Sequence, residues 1–238
     1  MKTPSLKNIL YRIRSIGTFY IAKQTLEHLE AIRNHELGVA LTMLPTKGKF
    51  LIIGAGAGWQ ARALEAQGYE VSAIDLASSN YRDNMVWPVT VYDGKTIPFE
   101  DHTFDIVYSS NVLEHIPHIY EFQKEILRVA KPDACVLHIL PSSNWRFWTI
   151  ISNLLKWSFP KVHGEHAGNP FTEIYYFSRR HWTKLFRETG WAVETQDTTK
   201  LFYTGCSIMD ARLSINTRRK LSRVFGSSCN VFILQKDS

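Results

Sequence analysis

The residues best suited to chemistry in this chain are three glycines on alternate positions, Gly54, Gly56 and Gly58, and an acid further along, Asp75. Glycines at that spacing let backbone N–H groups approach a ligand closely at a helix N-terminus, where partial positive charge favours anionic or polar groups. A carboxylate roughly 20 residues past the first glycine falls at the tip of the next strand, where it can accept both hydroxyls of a ribose. A dinucleotide fingerprint would need its third glycine at Trp59, and no Gly-Lys-Ser/Thr closes the turn. Gly94-Lys-Thr96 comes after a later strand, with no glycine-rich loop before it. The set therefore points to a nucleoside without a pyrophosphate.

Such residues need a strand, a tight turn and a helix to position them. Phe50-Leu-Ile-Ile53 suits a buried strand, and Gln60, Ala61, Ala63 and Leu64 begin a helical pattern just past the turn. Val71-Ser-Ala-Ile-Asp75 is a second short strand ending in the acid. Further strands are expected at 87–92, 104–109, 135–140, 191–195 and 230–235, and helices at 120–129 and 179–189, with a short helix or loop from Ala77. Before them, residues 6–44 read as helices up to Pro45 and Gly48, with Lys2, Lys7, Arg12 and Arg14 opposite an apolar stripe. That stripe fits either a cap over one edge of the pocket or an amphipathic surface helix.

Several stretches together resemble the class I S-adenosylmethionine-dependent methyltransferases, type 11 branch. They are the glycine turn with Asp75, Asp93-Gly-Lys-Thr-Ile-Pro-Phe99, Phe104-Asp-Ile-Val-Tyr-Ser109, Val112-Leu-Glu-His115 and Leu127-Arg-Val-Ala-Lys-Pro132. The likeness covers roughly residues 48 to 140. It implies an α/β fold: a Rossmann-like, seven-stranded, mostly parallel sheet with an antiparallel last strand, a helical N-terminal cap over 1–46 and a methyltransferase domain over 47–238. S-adenosylmethionine is the implied cofactor, with Gly54, Ala55, Gly56, Gly58, Asp75, Leu76, Asp93, Gly94 and Asn111 the implied cofactor-binding residues. Many relatives carry an acid two positions before the first glycine, where this chain has Ile52, which leaves open how the methionine amino group is held.

Beyond Pro141 the chain leaves the common core. Residues 141–176 read as an acceptor-side insertion: an aromatic helix from Trp145 to Phe159, then a polar loop, Val162-His-Gly-Glu-His-Ala-Gly168. Residues 205–225 form an extra connection of helical character. Methyl transfer from a sulfonium mostly needs the acceptor held close and dry, and a hydroxyl acceptor gains from a base. His115, His163 and His166 are the candidates, each with a structural alternative, and Tyr175 and Tyr176 are candidate pocket walls. His163-x-x-His166 is only a partial ligand set, so no metal is expected.

At 238 residues and 45% hydrophobic content, one sizeable α/β domain is expected. The net charge of +6 is dispersed apart from clusters at Arg179-Arg180 and Arg218-Arg-Lys220, which reads as a solvated basic face rather than a nucleic-acid surface. Cys135, Cys206 and Cys229 make neither a Cys-x-x-Cys pair nor a disulfide framework, which suits a cytoplasmic setting. No signal peptide or spanning run is recognised, so membrane contact would be peripheral, at the inner face. The expected function is methylation of a small-molecule acceptor, a sugar or glycolipid intermediate, with oxygen favoured over nitrogen. The alternatives are a lipid or quinone methyltransferase at the membrane surface, and a non-catalytic S-adenosylmethionine-binding module.

Overall fold

The computed structural model describes residues 26–205 and 213–237. The expected helix from Leu6 with its basic side chains, and Cys206, lie outside them. Helix α1 spans Leu26–Leu41, β1 Lys49–Ile53, α2 Trp59–Glu65, β2 Glu70–Leu76, β3 Thr90–Tyr92 and β4 Phe104–Ser110. Then come α3 at Ile119–Val129, β5 at Ala130–Pro141, α4 at Ser143–Leu155, α5 at Glu173–Tyr176 and α6 at Arg179–Glu188. The order closes with β6 at Trp191–Thr198, α7 at Ile215–Phe225 and β7 at Cys229–Lys236.

The seven strands form one sheet in the order β3-β2-β1-β4-β5-β7-β6. Neighbours from β3 to β5 are parallel, and β7 runs antiparallel to both β5 and β6. Every residue of β1 after Lys49 is buried, as expected for a parallel strand covered on both faces. Alternation along the strands divides the core in two. Leu51, Ile53 and Val107 meet Phe122 and Ile126 of α3 and Trp182 and Phe186 of α6. Phe50, Ile52, Ile106 and Tyr108 meet Leu37 and Ala40 of α1 and Ala61 and Leu64 of α2. Helix α3 buries Ile119, Phe122, Ile126 and Val129, the spacing of a single helical face.

The strand order reverses direction between β1 and β4, which opens a crevice at the carboxyl ends of those strands. Several boundaries differ from the sequence expectation. β3 begins only at Thr90, since Pro88 has no N–H to give to a ladder. β5 starts at Ala130, directly after α3, and tolerates Pro132 where the pairing with β4 shifts register. α4 ends at Leu155 rather than Phe159, where Lys156 caps it and Trp157 takes a left-handed conformation at φ 56. Neither basic cluster is wholly solvated. Arg218 is buried and donates to the Phe202 carbonyl, and Arg179 donates to Asn230 and to the Asp197 carbonyl. Cys135 and Cys229 are free thiols.

Candidate functional site

A cavity of about 720 Å³ lies at the carboxyl ends of β1, β2, β3 and β4. Its floor is the turn after β1. Gly54 has φ 70, and a Cβ there would collide with the Val112 side chain, so that position admits only glycine. The N–H groups of Gly54 and Ala55 both donate to the Ile74 carbonyl, at 2.9 and 3.1 Å, which pins the turn to β2. Asp75, on β2, completes the join: Oδ2 accepts from the Gly56 N–H at 2.6 Å and the Ser79 hydroxyl at 3.1 Å, while Oδ1 accepts from the Leu76 N–H at 2.7 Å.

Gly54, Ala55, Gly56, Asp75, Leu76, Asp93, Gly94 and Asn111 all line this cavity. Gly58 does not. It stands behind the wall at φ 84, where a Cβ would come within 2.8 Å of Trp87 Cβ, so close packing fixes that glycine. Asp93 combines the cavity position with a turn role: Oδ1 accepts the N–H groups of Lys95 and Thr96, both at 2.8 Å, and these bonds lower its pKa below the ordinary carboxylate value. Asn111 takes a left-handed conformation, φ 55, and its N–H donates to the Ile139 carbonyl.

The insertion builds the other end of the cavity. His115 and His163 meet edge to face, with ring centroids 4.6 Å apart, and Trp145 packs on His163 at 4.7 Å. The loop is held in place from beneath. Glu173 Oε1 accepts the N–H groups of His163 and Gly164, each at 2.7 Å, and its other oxygen pairs with Arg146 at 2.7 Å. Both charged groups are buried, in a pair that joins α4 to α5. Glu165 N–H donates to the Glu114 carbonyl at 2.9 Å, which docks the loop on the segment after β4. Both imidazoles are exposed at the cavity wall, yet protein surrounds them. Burial first, then the neighbouring His115, Arg146 and Arg33, pushes the His163 pKa down to about 4. Burial also lowers that of His115.

His166 and Tyr175, two further sequence candidates, sit elsewhere. His166 Nε2 lies 3.3 Å from the Leu113 carbonyl and its ring faces Trp182. Tyr175 is exposed beside Tyr176 and His181, off the cavity. His163 and His166 part company because they lie in a loop, where a spacing of three does not put two side chains on one face.

Sequence reasoning overlooked a polar group under the α1 side. Glu36 is fully buried; its Oε2 accepts from Arg33 at 2.6 Å and from the Ser110 hydroxyl at 3.0 Å, and its Oε1 accepts from the Tyr203 hydroxyl at 2.7 Å. Arg33 reaches the cavity wall as a firm cation: burial opposes its charge, but Glu36 outweighs that and raises its pKa. The signal was an opposite-charge pair three residues apart within an apolar helical stripe. Glu114 was overlooked as well. Its carboxylate is fully buried, and burial pushes its pKa up to about 8.

A family profile described as a methyltransferase domain matches residues 25–196. An uncharacterized methyltransferase of Mycobacterium leprae is 32% identical over 102 residues, 39% of this chain and 37% of that protein. A ubiquinone biosynthesis O-methyltransferase of Rickettsia bellii is 28% identical over 131 residues, 52% of this chain and 49% of that one. The chain thus spans about half or less of the length of these curated relatives. Among solved structures, an S-adenosylmethionine-dependent methyltransferase from Mesorhizobium loti superposes with a TM-score of 0.59 at 15% identity, over 85% of this chain and 98% of that one. The likeness to that structure is one of fold.

Proposed function

The chain belongs to the methyltransferase domain family, and on that premise we propose that it moves a methyl group from S-adenosylmethionine to an oxygen of a small-molecule acceptor. The observation that carries this reading is the shape of the cavity: a glycine turn with its acid at one end, and two imidazoles and an indole, supplied largely by the insertion, at the other. The residues fit the cofactor. Gly54 keeps the turn clear of Val112 at the cavity floor, Asp75 keeps a lone pair on Oδ1 for a ribose hydroxyl, and Asp93 lies past β3 for the adenine amino group. Arg33 offers a cation for the methionine carboxylate, held from behind by buried Glu36.

When bound, the cofactor would supply an electrophilic methyl on a sulfonium, with an O–C bond to the acceptor forming as the C–S bond breaks and its electron pair stays on sulfur. This chain's residues orient and exclude water. Trp145 and His163 close the wall around the reacting end, and the Arg146–Glu173 pair keeps that wall in place. His115 and His163 face the acceptor hydroxyl that must lose a proton.

A specific observation favours a lipid-linked acceptor within this class. Leu155, Trp157 and Phe159 are 67%, 68% and 73% exposed, and Val162 and Phe171 beside them are also exposed, with Lys156 and Lys161 interleaved. Phe159 and Phe171 meet ring to ring with centroids 6.5 Å apart, and large apolar side chains exposed together mark an interaction surface. Apolar aromatics mixed with lysines suit the headgroup layer of a membrane. Among the described residues no helix is long and apolar enough to cross a membrane. The Rickettsia relative, whose name refers to ubiquinone biosynthesis, agrees with a lipid-like acceptor. The test is methyl-labelled S-adenosylmethionine offered with a total lipid extract or with the polar metabolite fraction. Label entering the organic phase supports a lipid-linked acceptor, and label confined to the polar fraction overturns it.

A further inference from the structure

We propose that Glu114, His115 and His163 hold a divalent transition-metal ion at the acceptor end of the cavity. Their ligand atoms all lie within 4.8 Å of one another, and they form the group of metal-ligating type found among the described residues. Glu114 makes the case more than a chance cluster. Its side chain is wholly buried and neither carboxylate oxygen has a hydrogen-bond partner among the described residues, while His115 Nε2 stands 3.9 Å from Oε1. A buried carboxylate without donors is costly, and a cation beside it removes that cost.

The set has a coherent chemistry. Two imidazoles and one carboxylate are a ligand set for zinc, iron(II) and similar ions in sites that keep open positions for substrate. His115 and His163 reach the site from segments far apart in sequence, and the Glu165 N–H bond to the Glu114 carbonyl holds those segments together. Gly164 permits that approach, since a Cβ there would come within 2.8 Å of the same carbonyl. Donors sharing one ion at about 2.1 Å stand about 3.4 Å apart. The present set therefore needs side-chain rotations on the order of 1 Å, with the backbone unchanged. The two histidines line the cavity and Glu114 lies beneath them, so the open positions face an incoming acceptor. Two adjacent oxygens on that acceptor would complete the shell, and coordination would lower the pKa of the hydroxyl to be methylated, so that its proton passes to solvent while both imidazoles hold the ion. The choice of an oxygen acceptor rests on the proposed function, whereas ion binding stands apart from it.

The test uses the whole chain, stripped with chelator and titrated with Co²⁺, with visible absorption and bound metal both measured. One equivalent should bind to the wild type. His115→Ala, His163→Ala and Glu114→Gln should each weaken binding by more than the roughly 10-fold that even outer-shell changes cost. His166→Ala should bind like the wild type, and circular dichroism should show each variant folded. No stoichiometric Co²⁺ in the wild type, or equal binding by folded His163→Ala and Glu114→Gln, would overturn the proposal. Calorimetry with S-adenosylmethionine on the same samples keeps the two readings separate, because a wild type that binds the cofactor but takes up no Co²⁺ rejects only the metal site.

Discussion

The carboxylate of Asp75 accepts the backbone N–H of Gly56 at 2.6 Å. The acid at the end of β2 and the glycine turn after β1 are therefore one hydrogen-bonded unit rather than two motifs that merely face the same ligand. The bond sets the angle of the carboxylate before anything binds, and the Leu76 N–H and Ser79 hydroxyl hold it from the other sides. Preorganisation of this kind reduces the ordering cost of binding.

Gly54 and Gly38 should respond oppositely to alanine. At Gly54 the backbone is left-handed and a Cβ would overlap Val112, so Gly54→Ala should cost about 1–3 kcal/mol from strain alone, with loss of cofactor binding. Gly38 lies exposed inside α1 with nothing within 4 Å of its Cβ position, so Gly38→Ala should stabilise by about 1 kcal/mol. Urea unfolding of both variants measures this, and a Gly54→Ala protein as stable as the wild type would contradict the turn geometry.

Glu173→Gln breaks the buried pair with Arg146 and weakens the anchor of His163 and Gly164. Breaking a buried pair from one side typically costs about 3–5 kcal/mol. Turnover should fall with the loss of the acceptor wall, while affinity for S-adenosylmethionine, which we propose binds at the glycine-turn end, stays within a few-fold. Thermal melts and calorimetry on the variant check both halves, and an unchanged melting temperature would remove the pair from its anchoring role.

His138 should make the fold acid-sensitive. It is buried in β5 with Nδ1 2.8 Å from the Ser109 hydroxyl and Nε2 without a partner among the described residues, and burial pushes its pKa down to about 3. An unfolded histidine titrates near 6.5. Above that pH both states are neutral and the full stability is present. As the pH falls from about 6.5 toward 3, the unfolded chain takes a proton that the folded one refuses, and up to about 5 kcal/mol is lost. Denaturant melts at pH 7 and pH 4.5 should show a loss about 2–3 kcal/mol smaller in His138→Gln than in the wild type. Parallel losses would rule out His138 as the source.

The exposed aromatics predict a salt-sensitive membrane association. Vesicles of phosphatidylglycerol and phosphatidylcholine should carry the wild type upward in flotation, less so at high salt as Lys156 and Lys161 are screened. Trp157→Ser with Phe159→Ser should abolish it. Trp148 should matter little for direct contact, since its indole N–H donates to the Phe225 carbonyl and its ring packs on Phe202 and Phe225. Wild type left at the bottom of a low-salt gradient would leave only a soluble acceptor.

The chain made some of this legible and hid the rest for physical reasons. The β1 turn and Asp75 could be read because glycine spacing, a buried apolar run and a strand-end acid are local patterns. So could the sheet, whose strands are short apolar runs between turn signals. Arg33, Glu36 and Tyr203 were not read as a site because their meeting depends on α1 packing over β4 and on a connection near the chain's end. Glu114 was passed over beside His115 because burial, which sequence does not state, gives it its character. The aromatic run suggests a helix as far as Phe159, but the helix ends at Leu155 and Trp157 and Phe159 stand exposed beyond it, because a run rich in aromatics carries no signal of where the helix stops.

Calorimetric titration of S-adenosylmethionine into the wild type and Asp75→Ala tests the two-ended cavity most directly. The expected result is one cofactor per chain, with affinity at least roughly tenfold weaker in the variant, since each charge-assisted hydrogen bond lost contributes about 1.5–3 kcal/mol. Unchanged affinity in Asp75→Ala would take the acid out of the site, and a wild type that binds a nicotinamide dinucleotide in preference to S-adenosylmethionine would contradict the cofactor assignment itself.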